Sequence, residues 1–160
     1  MREKIGEIVL GDKAYLSDPC YGEHDCNEII NVIPGTYNVY ITRCESLDIF
    51  HKGRVSSIFA IHKDYSKKYN KLSADDRENL WCSVDSGTCG IFDYDYFVST
   101  RDDDDVDEEW YEKHIIGRMK DYLITDGKGA VSSSGVGDGS YPVFAEYDKN
   151  KAYSIRIKFL

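Results

Sequence analysis

The sequence predicts an α+β domain, mostly antiparallel β, built as a sandwich or partly open barrel with one amphipathic helix packed on the sheet. Two observations carry this. Apolar residues alternate at a period of two in several short segments separated by Gly, Asp, Asn and Ser. Only one segment breaks that alternation in favour of helical spacing.

The alternation is clearest at the carboxyl end. Tyr153, Ile155, Ile157 and Phe159 alternate with Ser154, Arg156 and Lys158, and Tyr141, Val143, Ala145 and Tyr147 form a second odd-numbered set. The polar run Asp148 to Lys151 between them predicts an antiparallel hairpin. Pro34 and Gly35 punctuate the chain ahead of a strand over Tyr37 to Thr42, rich in β-branched and aromatic residues. Ile5–Leu10, Ala14–Leu16, Val55–Ile61, Leu80–Val84, Ile91–Phe97 and Gly129–Ser132 read the same way. Over Asp107–Leu123, Tyr111, Ile115, Met119 and Tyr122 recur at helical spacing, widened by Ile116 and Leu123. The carboxylates ahead of that stripe suit a helix start. Lys63 to Asn79 is polar and predicts an exposed loop with a short helical turn after Ser73.

At 160 residues the chain has the size of one domain, with 41% hydrophobic residues for its core, and residues 1–160 are read as a single β-rich domain. It opens without an apolar leader and no stretch is apolar enough for a membrane span, which predicts a cytoplasmic protein. Five cysteines fit that reducing compartment, because at least one stays unpaired within a monomer. The formal net charge of −9 argues against general attraction to nucleic acid or anionic membranes. That charge is local: residues 102–109 hold seven carboxylates, and removing those seven from −9 leaves −2. A small basic face elsewhere stays open, for instance around Lys63, Lys67, Lys68 and Lys71.

Familiar catalytic frames are absent: the sequence holds no Walker-type phosphate loop, no H-E-x-x-H and no G-x-S-x-G. Gly135 to Gly139 resembles a dinucleotide loop only superficially, since it leads into a strand and not a helix. The acidic run 102–109 lacks the mid-loop glycine of a calcium-binding EF-hand and reads as a solvated loop with a helix cap. Cys20, His24 and Cys26, with Cys44, Cys82 or Cys89 as a fourth ligand, are spaced too loosely for an ordinary structural zinc site, which leaves buried or incidental thiols as the reading.

Three acidic, glycine-rich turns stand at predicted strand junctions: Ser17 to Tyr21, Val84 to Asp93, and Ser133 to Tyr141. Should the strands bring them to one rim, Asp18, Tyr21, Asp85, Ser86, Thr88, Asp93, Asp138 and Ser140 are the candidate ligand-binding residues. Asp18, Asp85, Asp93 and Asp138 could then hold a divalent cation, the one cofactor the sequence suggests, or act as acid and base, with Asp18, Asp85 and Asp138 the foremost metal candidates. The competing account is structural, because Asp and Gly in turns commonly bond their own backbone and supply positive φ.

The same turns resemble an uncharacterised family of bacteria and their phages, a domain of unknown function. The resemblance rests on 17-SDPCY-21, 34-PGTYNV-39, 84-VDSGTCGIFD-93, Trp110-Tyr111, 132-SSSGVGDGSYPV-143 and the Ile155 to Phe159 ending. It runs from about residue 16 to the terminus and implies a complete single-domain protein. It also implies that Asp18, Asp85, Gly87, Asp93, Gly135, Asp138 and Gly139 belong to a shared pattern, while carrying no activity or catalytic role. The acidic run and His24 depart from that pattern.

The leading functional expectation is a binding or interaction module whose site is formed by the Asp/Gly turns, with a protein or small molecule as partner. One alternative is a hydrolase in which Asp18, Asp85 and Asp138 position a divalent metal and a water molecule. Another is a structural protein forming homo-oligomers by self-pairing of its carboxy-terminal edge strand.

Overall fold

The computed structural model describes residues 2–22, 28–45, 49–67, 77–101 and 108–160. Eleven strands among them form two antiparallel sheets packed face to face. They are β1 (Arg2–Leu10), β2 (Lys13–Ser17), β3 (Glu28–Asn31), β4 (Gly35–Arg43), β5 (Val55–His62), β6 (Arg77–Val84), β7 (Thr88–Asp93), β8 (Tyr122–Thr125), β9 (Gly129–Ser133), β10 (Gly139–Asp148) and β11 (Lys151–Lys158). One sheet runs β1-β4-β5-β11-β10-β6 and the other β3-β2-β7-β9-β8. The predicted class holds, in its sandwich form.

Side-chain alternation explains the layering. Tyr37, Val39 and Ile41 of β4, Ile58 and Ala60 of β5, and Ile155 and Ile157 of β11 point into the space between the sheets. Ala14 and Leu16 of β2 and Cys89 and Ile91 of β7 meet them from the other side. The intervening residues Tyr15 and Phe92 face the opposite way, into a second apolar cluster with Phe97, Trp110, Ile115 and Val131. β7 is therefore covered on both faces and buried along its whole length.

That outer cluster belongs to a thin helical layer of α1 (Tyr94–Ser99) and α2 (Glu108–Tyr111), the latter continued by a π-turn over Glu112–Ile116. Phe97 and Trp110 pack with ring centroids 5.8 Å apart, and such pairs add ~0.5–1.5 kcal/mol beyond simple burial. Arg101 lies over both rings at 4.3 Å and donates from Nη2 to the Pro19 carbonyl, fastening the helical layer to the end of β2.

Three expectations need correction. The strand over Ile91–Phe97 stops at Asp93, whose side chain accepts from the Tyr96 N–H at 2.9 Å and caps α1. The helix over Asp107–Leu123 is cut short: Gly117 closes the π-turn, and Tyr122 and Leu123 belong to β8, paired with Ser132 and Val131. The carboxy-terminal strand β11 is not an edge, because β5 and β10 flank it, so its backbone groups are already paired. In the polar stretch after His62, a 3₁₀ turn occupies Lys63–Tyr65 and β6 already begins at Arg77. The helical turn expected after Ser73 and the acidic residues 102–107 lie outside the described residues. Among the described residues no helix is long and apolar enough to cross a membrane.

Candidate functional site

The three Asp/Gly turns do converge at one end of the sandwich, and Asp18 is the reason. Immediately after β2 its side chain turns inward and is fully buried. Oδ2 accepts the backbone N–H groups of Asp85 at 2.8 Å and Ser86 at 2.6 Å. Oδ1 accepts the Cys20 N–H at 2.9 Å and the Ser86 hydroxyl at 2.6 Å. The β6–β7 turn is thus wrapped around a carboxylate supplied by a different strand connection. Charge-assisted bonds of this kind are the stronger ones, and inside the fold water competes little with them.

The third turn is joined through Gly87. Its carbonyl accepts the Ser134 N–H at 2.9 Å and lies 3.2 Å from the Ser134 hydroxyl, which also reaches the Gly137 carbonyl. Tyr141 donates its hydroxyl to that same Gly137 oxygen at 2.6 Å. Gly87 and Gly135 both take left-handed backbone, φ 70° and 73°, which a side chain would oppose.

Outward from this frame, Tyr21 donates its hydroxyl to the exposed Asp85 carboxylate. Its own phenol is pushed up, first by partial burial and then by that carboxylate. The Ser86 and Thr88 hydroxyls meet at 2.6 Å, and Thr88 lies 3.4 Å from the Tyr111 hydroxyl of α2. Ser140 stands on the next strand over, 3.4 Å from Ser83, and both Asp138 and Ser140 are exposed. Tyr111 and Arg101 were not among the expected site residues; the Trp110-Tyr111 pair, which ends α2, was the available signal.

Asp93 does not join this rim. It occupies the far end of β7, five residues from Thr88 and so about 17 Å away along an extended strand. There it accepts the N–H groups of Tyr96 and Gly11. Asp18 joins the rim but not its surface, since four donors occupy its oxygens. The trio Asp18, Asp85 and Asp138 therefore presents two carboxylates outward, not three. Among the described residues no group of three or more His, Cys, Asp or Glu is placed to hold a metal ion. His24 and Cys26 lie outside the described residues.

The thiols beneath the rim are shielded. Cys82 and Cys89 are buried with sulfurs 2.8 Å apart, and burial raises the Cys89 thiol. Cys20 is pushed up to about 12, by burial and then by the Asp18 carboxylate. Iodoacetamide at pH 8 should accordingly alkylate Cys20 about 1,000-fold more slowly than a free thiol, as the lower thiolate population requires. Peptide mapping by mass spectrometry measures that rate, and labelling at the rate of a free thiol would contradict the assigned surroundings.

The rim so built is held together by the hydrogen bonds of Asp18 and Ser134, bears two exposed carboxylates and carries hydroxyls beside them, an arrangement suited to hydrogen bonding with a polar partner. The chain matches no protein-family model, and neither a curated protein nor a solved structure shows significant similarity to it.

Proposed function

We propose that this protein is a binding module of a bacterial or phage cytoplasm, taking a protein or small-molecule ligand on the rim formed by its three Asp/Gly turns. One observation carries the reading. Asp18 and Ser134 bind turns from three separate strand connections into a single surface, so its exposed groups are fixed before any ligand arrives. Such preorganisation lowers the entropy lost on binding. Asp85 and Asp138 supply charge, while Tyr21, Ser86, Tyr111 and Ser140 supply hydroxyls around them, with the buried Thr88 supporting Ser86 from beneath. A ligand presenting ammonium, guanidinium or amide groups complements that set.

Affinity capture with crosslinking from a bacterial lysate tests the reading, with the Asp85→Ala, Asp138→Ala double variant run in parallel. Both side chains are exposed, so the variant should keep its fold and its melting temperature. The specifically captured ligand should be reduced about tenfold, the effect of removing roughly 1.4 kcal/mol of contact energy. Equal recovery by both proteins would exclude the rim as the site.

A further inference from the structure

Beneath the rim, the β6–β7 corner holds two thiols. This corner passes the chain from one sheet to the other: β6 is an edge of the six-stranded sheet, and β7 lies in the middle of the five-stranded one. Alternation turns Leu80, Cys82 and Val84 of β6 toward the space between the sheets, and Cys89 and Ile91 of β7 face them from the other side. Only Asp85, Ser86 and Gly87 make the crossing between the two strands. A turn so short sets the inward side chains on either side of it against each other.

Cys82 and Cys89 are both fully buried, and their sulfurs stand 2.8 Å apart. That is well inside the packing distance of two unbonded sulfurs and less than about 1 Å from the bonded length of ~2.05 Å. The surroundings also disfavour a charged sulfur. Burial first, then the Cys82 sulfur and the Asp18 carboxylate, raise the Cys89 thiol. A disulfide carries no charge and fills the same apolar space, so it suits this position better than a thiolate does.

We propose that Cys82 and Cys89 form a reversible disulfide that ties the two sheets together beneath the rim. Inter-sheet bonds of this kind brace other β-sandwich domains. The oxidant is a peroxide: hydrogen peroxide is small and uncharged, and it reaches the pair as the short turn opens locally. One sulfur, as thiolate, attacks a peroxide oxygen; the O–O bond breaks, hydroxide leaves and takes up a proton as water, and the cysteine becomes a sulfenic acid. The partner sulfur then attacks the sulfenic sulfur, and its own proton passes to the departing oxygen, which leaves as a second water. Two thiols thereby give two electrons to one peroxide, and a dithiol reductant returns them by exchange. The ring so closed runs from Cys82 to Cys89, eight residues, and contains the Asp85 and Ser86 amides that bind Asp18. Its formation requires no ligand at the rim.

The unaltered protein suffices for the test. It is treated with hydrogen peroxide, denatured with N-ethylmaleimide present to cap remaining thiols, and digested with trypsin. Both cysteines fall in one tryptic peptide, Glu78 to Arg101, which holds no other cysteine. The bonded peptide should carry no maleimide and be lighter than its reduced form by two hydrogens. Cleavage before Asp85 should then leave the Cys82 and Cys89 pieces joined until dithiothreitol parts them. Closing an eight-residue ring should raise the melting temperature by about 5–10 °C, and dithiothreitol should reverse the rise. Cys44→Ser should respond to peroxide as the wild type does, whereas Cys89→Ala should show neither the bond nor the rise. Two maleimides on the peptide after peroxide treatment, a sulfinic acid at either position, a link from either to a third cysteine, or bonded protein that melts no higher than its reduced form would overturn the inference.

Discussion

Asp18→Ala should destabilise the protein by about 3–5 kcal/mol, the range found when one partner of a buried charged interaction is removed. The substitution takes away a single acceptor group but strands the N–H groups of Cys20, Asp85 and Ser86 together with the Ser86 hydroxyl. A buried donor left alone costs about 1–3 kcal/mol, and the four share one site, so their costs combine less than additively. For a chain of 160 residues the melting temperature should fall by about 6–20 °C, at ~2–4 °C per kcal/mol. Asp18→Asn should fall between the two proteins, because its amide keeps one acceptor oxygen and turns an NH₂ toward existing donors. Circular dichroism melts measure the loss, and hydrogen exchange at the Asp85 and Ser86 amides locates it. A cost below about 1 kcal/mol would mean that water replaces the carboxylate, and that Asp18 does not organise the rim.

This role of Asp18 was only half visible in the sequence. Its position in an acidic turn beside two others marked the region where strands meet. Whether the carboxylate points outward to a ligand or inward to backbone N–H groups depends on the placement of β6 and β7 relative to β2. That placement is set by contacts between residues more than sixty positions apart. Asp93 shows the same limit from the other side, as a residue of similar local character that the strand direction carries to the far end of β7. Tyr111 enters through α2, an element whose position no local pattern could supply.

The fold was readable wherever burial on one face forced a period of two. The β10–β11 hairpin, β4 and β5 were expected within about two residues of their observed ends, a normal margin for element boundaries. The failures have local causes. β3 contributes only Ile30 as a fully buried side chain among its four residues, too little for a periodic signal. Phe92, Tyr94 and Tyr96 imitate strand alternation, but the cap made by Asp93 starts a helix at Tyr94. Tyr122 and Leu123 fit a helical stripe and a strand equally well. Pairing with β9 decides for the strand, placing Tyr122 against the inter-sheet core and Leu123 against the helical layer.

The third turn gives the other large effect. Gly135→Ala should cost about 2–6 kcal/mol, from two sources that a companion variant separates. At φ 73° any side chain strains the backbone, by about 1–3 kcal/mol. A Cβ at this position would also run into the Val55 carbonyl oxygen, a backbone atom that cannot swing aside as a flexible side chain can. Relieving such overpacking typically costs a further ~1–3 kcal/mol. Gly137, two residues on, has φ 105° but no atom within 4 Å of the added carbon, so Gly137→Ala meets the conformational strain alone. Gly135→Ala should therefore melt below Gly137→Ala. It should also weaken ligand capture at the rim, since the Arg54 guanidinium bonded to the Gly135 carbonyl and the neighbouring Ser134 must move with it. If the two alanine variants melt together, close contact with β5 is not what holds this turn, and the rim is fixed by the Ser134 hydrogen bonds alone.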